Sequence, residues 1–415
     1  MNESYLDKFA RLTIELGMNL EKGQPIVIRS STDPELVKFA RKCAQAAWKA
    51  GASEVLMDWR DSEISALEYA NKDLEAFKTA PSWKVDFYES AAKNNAAFLL
   101  IDGDDPEAFK DADPLKMVSA RMAMNSATPT YRGGIDNGSL AWCVVAAPSA
   151  GWAKKVYPDL SEEEAVNVLW NDIFRISRID ENDPIENWLQ HGAKLNAQMD
   201  KLNQAGIVKF HYTSSNGTDL WVDMPEGAIF VGGASKLADG RENFCNIPTE
   251  ELFSAPALDG VNGTLEAVFP LNENGKLVEG FGFTFKDGKV VDYHADKGKE
   301  VLDALLQGGD GADRLGEIAL VDKSSPIRQG NRIYYNTLYD ENAACHFALG
   351  QSYAECLPGA QTMSKEDLKQ HKFNQSEIHV DFMVGADDLN IDGYTKEGKL
   401  IPVFRNGSFT TEFDL

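Results

Sequence analysis

The stretch PIVIRSSTDPELVKFARKCAQAAWKAGASEVLM, residues 25–57, holds two short apolar runs with an amphipathic segment between them. Leu36, Phe39, Ala40, Cys43, Ala46, Ala47 and Ala50 recur at helical spacing over residues 34–50, whereas Pro25–Ile28 and Glu54–Met57 have the length of buried strands. This is a βαβ unit, whose helix lets two parallel strands lie side by side. Working outward, Ala96–Ile101 and Leu140–Ala147 are further strand candidates, and Leu115, Met117, Val118 and Met122 between them suit a helix. The fold class is therefore α/β at this end, with a mostly parallel sheet. Neither G-x-G-x-x-G nor G-x-x-x-x-G-K-[ST] occurs, so the features that make such a sheet a phosphate-binding nucleotide site are missing.

Further along, Ser161-Glu162-Glu163-Glu164 has the capping-box spacing of a helix start, continued by Val166, Val168, Leu169, Ile173 and Phe174. A second helix is expected from Asp183-Pro184 to about Asn203, closed by Gly206. The texture then changes to strands and tight turns. Ile207–Tyr212 and Thr218–Val222 flank Asn216-Gly217, and Leu277–Phe285 and Val290–Tyr293 flank Asp287-Gly288, two hairpin signals. A boundary near residue 205 is expected, giving an α/β domain over 1–205 and a strand-rich α+β domain over 206–415.

Against 41 Lys and Arg stand 65 Asp and Glu, a net charge of −24 over 415 residues. Such a surface repels phosphate backbones and anionic lipid headgroups, so neither nucleic acid nor membrane is an expected partner. No run reaches the roughly 20 apolar residues of a membrane span, and Met1-Asn2-Glu3-Ser4-Tyr5-Leu6-Asp7 lacks a signal-peptide layout, so a cytoplasmic location is expected. Cys43, Cys143, Cys245, Cys345 and Cys356 are odd in number and form no C-x-x-C pair, which fits reduced thiols.

The chemistry gathers in the second half. In Ile378-His379-Val380-Asp381-Phe382-Met383-Val384, a strand pattern, His379 and Asp381 project to the same face. In Asp340–Tyr353, read as a helix after Asp340, His346 and Tyr353 share a face two turns apart, with Glu341 off it. Glu317 sits inside the apolar run Leu315–Val321, where a carboxylate is costly to bury unless paired or metal-bound. Glu250-Glu251 alone reads as the first turn of a helix near a Thr cap. Carboxylates and imidazoles without thiolates suit one or two hydrolytic divalent ions such as Zn, Mn or Co. No H-E-x-x-H is present.

Four stretches, Asn246–Pro256, Leu315–Val321, Tyr339–His346 and His379–Gly385, closely resemble the thermophilic-type metalloaminopeptidases, and the similarity runs in order and spacing across the whole chain. The resemblance implies a dinuclear metal centre in the C-terminal domain, release of N-terminal amino acids from peptides, and a homodimer enclosing the active sites. It makes Glu251, Glu317, His346, His379 and Asp381 metal ligands, Glu341 a sixth, and Tyr353 an active-site tyrosine. Cys345 departs from the small residue, such as Ser, expected at its position.

Two cations would lower the pKa of a water and polarise the scissile carbonyl. Glu317 or Glu251 is then the candidate base, Tyr353 the candidate oxyanion donor, and a free peptide ammonium suits an acidic cavity. Two other readings compete. A metal-dependent phosphoesterase would want Arg or Lys near the metals, and the ligand segments are poor in both. A non-catalytic acidic α/β binding protein would hold the same clusters for structure alone.

Overall fold

A computed structural model describes residues 2–273, 275–360 and 363–414. The opening βαβ unit forms as read: Pro25–Ser31 pairs in parallel with Glu54–Arg60, and helix Pro34–Ala50 crosses between them. Asp33 caps that helix by accepting from the Glu35 amide, Pro34 opens it, and Gly51 ends it at φ 95°, a left-handed conformation that costs glycine little. Ala97–Asp102 and Trp142–Ala146 complete a four-stranded parallel sheet in the order 54–60, 25–31, 97–102, 142–146.

Helices cover both faces of this sheet, which is why its strands read as near-continuous apolar runs. Ile26 and Ile28 pack with Leu36, Phe39 and Trp170 on one side, and Val27 and Phe98 pack with Tyr88 and Ala92 on the other. The capping box at Ser161 forms and starts helix Glu162–Ile176, and the long helix Pro184–Gln204 follows.

The chain from Ile207 onward builds two large antiparallel sheets, one of nine strands and one of five, and a two-stranded ribbon of Ser235–Lys236 with Glu242–Asn243. Both expected hairpins are present in the larger sheet, as Ile207–Thr213 with Asp219–Asp223 and as Lys276–Lys286 with Lys289–Lys297. The smaller sheet runs in the order His379–Met383, His346–Gly350, Leu315–Leu320, Leu252–Ser254, Val231–Gly232. The two sheets share one core, in which Phe210, Tyr212, Phe281 and Phe283 meet Ile318, Phe347, Val380 and Phe382. The first core also reaches past residue 205: Ile327, Tyr334, Leu338, Tyr339 and Ala343 are buried in it, which brings the segment around Glu341 against the parallel sheet.

The helix expected after Asp340 does not form as read. A single turn, Thr337–Asp340, is followed by a 3-10 turn at Glu341–Ala343, and His346–Gly350 is a strand between two partners. Tertiary pairing overrides the local helix-forming composition there. Gly350 ends that strand at φ 103°, with its Cα so near the Ile378 carbonyl that a Cβ would lie 2.1 Å from the oxygen. Tyr353 therefore shares a site with His346 through this chain reversal and not through a helix face.

Candidate metal centre

The five-stranded sheet separates its residues by strand alternation into two unlike faces. Ile318 lies opposite Phe347 and Phe347 opposite Phe382, on the face packed against the larger sheet. On the other face, Glu317 lies opposite Ala348 and Ala348 opposite Asp381, with His346 opposite Ala319 and His379 opposite Gly350. Small residues thus stand between the functional ones, and the space a larger side chain would fill is left to the carboxylates and imidazoles.

Glu317 is at the centre of the group. Its Oε1 is 3.5 Å from His346 Nε2, and its Oε2 is 3.4 Å from His379 Nε2. His346 Nε2 also lies 3.0 Å from Glu251 Oε2, and His379 Nε2 lies 3.3 Å from Asp381 Oδ1. Two triads result, Glu251–Glu317–His346 and Glu317–His379–Asp381, each with donor atoms within 4.8 Å of one another and both using Glu317. Each ring is held from behind. His346 Nδ1 donates to the Ala344 carbonyl at 3.1 Å and His379 Nδ1 to the Gln351 carbonyl at 2.7 Å, which leaves both Nε2 atoms aimed into the cavity.

Glu341 lines the same cavity from its 3-10 turn. The turn is clamped: Asn342 donates to the Leu338 carbonyl, and its side-chain oxygen accepts from the Glu250 amide at 2.6 Å. Asp340, beneath it, accepts from the amides of Tyr334 and Asn336, while Asn336 donates to Asp102 at the end of the parallel sheet. Glu251 is not in a helix; it leads directly into the strand Leu252–Ser254. The adjacent carboxylates part company, because Glu250 pairs with Arg178 at 2.7 Å while Glu251 faces His346. Tyr353 packs its ring on His379, with centroids 4.7 Å apart.

The electrostatics follow from burial. Burial pushes the pKa of Glu251 up, and for Glu341 burial and the Asp381 charge push it well above the usual carboxylate range. Burial works against charge on His346 and His379 too, yet their carboxylate neighbours raise both well above the usual imidazole value. Glu317 goes the other way: burial is outweighed by hydrogen bonds from both imidazoles, and its pKa falls to about 2. A group of four carboxylates and two imidazoles, with Glu251, Glu317, Glu341 and His346 buried and His379 and Asp381 mostly so, calls for positive charge at its centre. Divalent cations fit this donor set: all six side chains offer oxygen or imidazole nitrogen, and one carboxylate faces both triads.

Glu355 also lines the cavity, and burial followed by the charges of Glu317 and Glu251 pushes its carboxyl up to about 7. Sequence reasoning passed over it, because nothing in Ala354-Glu355-Cys356 sets that carboxylate apart from a surface one. Cys345 is buried, its Sγ 3.4 Å from the Val321 amide nitrogen and carbonyl oxygen, and its pKa is pushed up to about 12, so it behaves as a packed, unreactive thiol.

The fold and this donor set define a two-part α/β protein with a largely buried, oxygen- and imidazole-rich cluster that could hold metal ions. Comparison with known proteins makes the class specific. A model of the Thermophilic metalloprotease (M29) family matches residues 2–409. Aminopeptidase AmpS of Bacillus subtilis is 40% identical over 404 residues, covering 97% of this chain and 98% of the relative. Aminopeptidase 2 of Geobacillus stearothermophilus is 41% identical over 410 residues, covering 99% and 98%. The solved structure of wild-type AmpT from Thermus thermophilus superposes with a TM-score of 0.87 at 37% identity, over 99% of this chain and 100% of that one. The chain belongs to the M29 thermophilic metalloprotease family.

Proposed function

We propose that this protein is a metal-dependent aminopeptidase that removes N-terminal residues from peptides at a centre for two divalent ions, Zn, Co or Mn. The observation that carries the reading is the pair of triads sharing Glu317, each with a histidine whose outer nitrogen is already anchored. The names of the full-length relatives support the exopeptidase class. In this reading Glu251, Glu317 and His346 hold one ion, and Glu317, His379 and Asp381 the other, with Glu341 completing the set.

When bound, such ions supply Lewis acidity to a water and to the scissile carbonyl. The chain's own residues do the rest. Glu317 or Glu251 is the base in this reading, and the raised pKa of Glu251 suits a proton acceptor better than the depressed one of Glu317. The Tyr353 hydroxyl is the donor for a developing oxyanion, its ring fixed against His379. Acidic walls, including Glu355, favour a substrate ammonium group, and Lys236 is the one lysine or arginine lining the cavity among the described residues.

The test is turnover of an aminoacyl chromogenic amide and of its N-acetylated counterpart, with and without a chelator. Release from the free-amine compound alone, abolished by chelation and restored by a divalent ion, is the expected outcome. Full activity after metal analysis shows the protein empty would overturn the metal-dependent reading. The same reading carries three further proposals: a homodimer, to be checked by sedimentation; a cytoplasmic location; and a domain boundary near residue 205. No helix among the described residues is long and apolar enough to cross a membrane.

A further inference from the structure

Beside the metal cavity lies a second one, of about 230 Å³, between the parallel sheet and the helices Ser82–Lys93 and Pro129–Asp136. Tyr88, Phe98, Tyr131 and Trp142 wall it, and Arg29 and Arg132 supply its positive charge. Ile135, Trp142 and Tyr353 line both cavities, so a single tyrosine ring separates His379 from this second space.

Arg29 is unusual among the arginines of this acidic chain. It is half-buried in the strand Pro25–Ser31, on the same face as Val27, yet its side chain makes no hydrogen bond or ion pair among the described residues. The nearby carboxylate of Asp58 is already taken, by Arg60 at 2.9 Å and the Tyr88 hydroxyl at 2.5 Å. Arg132 is held at 3.1 Å by Asp136. The Arg29 charge acts to lower the phenol pKa values of Tyr88 and Tyr131, although burial, the larger influence, leaves both raised. The Arg29 charge also acts on the carboxylates of Asp58 and Asp104, but neither is hydrogen-bonded to it, so a guanidinium set among aromatic walls keeps its donors free for an incoming anion.

We propose that this side cavity is a subsite in which Arg29, with Arg132 beside it, receives the C-terminal carboxylate of a short peptide whose amino end lies at the metal centre. The proposal rests on the aminopeptidase reading. A carboxylate matches the planar fork of an arginine, and the aromatic walls suit the apolar parts of the peptide that carries it. An extended chain advances about 3.3–3.6 Å per residue, so few residues are needed to pass Tyr353. The enzyme is then selective for short peptides that end in a free acid.

The experiment compares kcat/KM for a leucyl-diglycine peptide and its C-terminal amide, in the wild type and in Arg29→Gln and Arg29→Lys. In the wild type the acid is favoured roughly tenfold to a hundredfold, the range of one charge-assisted hydrogen-bonded contact. Arg29→Gln removes that preference by slowing the acid alone, and Arg29→Lys restores part of it. Equal rates on acid and amide in the wild type, a comparison that needs no variant to fold, would overturn the subsite. So would a variant that slows both substrates equally. Leucine amide, which has no carboxylate, separates the two levels: if it is cleaved without an acid preference in the peptides, only the subsite falls. If no free-amine substrate is cleaved at all, the aminopeptidase reading falls and takes the subsite with it.

Discussion

The two central sheets of this molecule bury both faces, but in opposite ways. In the parallel sheet, Ile26 and Ile28 on one face and Val27 and Phe98 on the other are removed from water with apolar partners, which stabilises the fold without outside help. In the five-stranded sheet, Ile318, Phe347 and Phe382 do the same on one face, while the other buries Glu317 and His346 and leaves His379 and Asp381 only partly exposed. Burying unbalanced charge opposes folding. The second face is therefore maintained for its chemistry, and its contribution to stability depends on what neutralises it.

The strongest way to break this comparison is to remove the proposed metal ligands from one strand of the charged face. His379→Ala and Asp381→Ala each abolish activity and empty at least one ion site, because both side chains converge on the triad with Glu317. His371→Ala leaves activity and metal content at wild-type levels, since His371 is exposed and lies on the pocket beside Asp259 and Lys372. Metal analysis beside turnover checks the contrast. Equal damage from His371→Ala would put the centre elsewhere.

A smaller effect is expected at Tyr353, which belongs to the cavity without belonging to either triad. Tyr353→Phe keeps the ring on His379 and the bound metal but lowers kcat by about 10²–10³, the usual cost of losing one oxyanion donor. KM moves little. Loss of an ion from the variant, with activity recovered at excess metal, would make Tyr353 a ligand instead; unchanged kcat would leave it a packed aromatic.

The same contrast explains how much was legible beforehand. The βαβ unit, the capping box at Ser161 and both hairpins rest on local periodicity and turn chemistry, and they form where that reading put them. The pairing of His379 with Asp381 was legible because a strand's period of two needs no partner to be recognised. Glu317 stood out as a charge inside an apolar run. The path from His346 to Tyr353 is not legible in the sequence, since Ala-Ala-Cys-His-Phe-Ala-Leu suits a helix until the neighbouring strands claim it. Arg29 carried the same kind of signal as Glu317, a charge ending the apolar run Pro25–Ile28, and its setting appears only once two helices close over that face. Glu251 and Glu341 depend on loops fixed from a distance, by Asn342 and by the core around Tyr339, so no local pattern reveals their convergence.

The smallest expected effect tests whether the charged face is a stability cost that cations relieve. Glu355 has an ordinary value of 4.5 but is pushed up to about 7 in the folded protein, first by burial and then by Glu317 and Glu251. Its folded form therefore holds the proton more tightly than the unfolded chain does. By linkage, whatever stability this provides is present at low pH and is lost as pH rises from about 4.5 through about 7. Glu355→Gln is neutral throughout and escapes the loss. In metal-free protein the variant should match the wild type below pH 4.5 and melt on the order of one to a few degrees higher at pH 8. Divalent ions bound among the carboxylates favour the ionised form of Glu355, so loading the wild type should shrink the gap at pH 8. Melting curves of both proteins, metal-free and loaded, at the two pH values measure it. A difference that does not change with pH would mean that Glu355 feels neither the burial nor the charges that line the cavity with it.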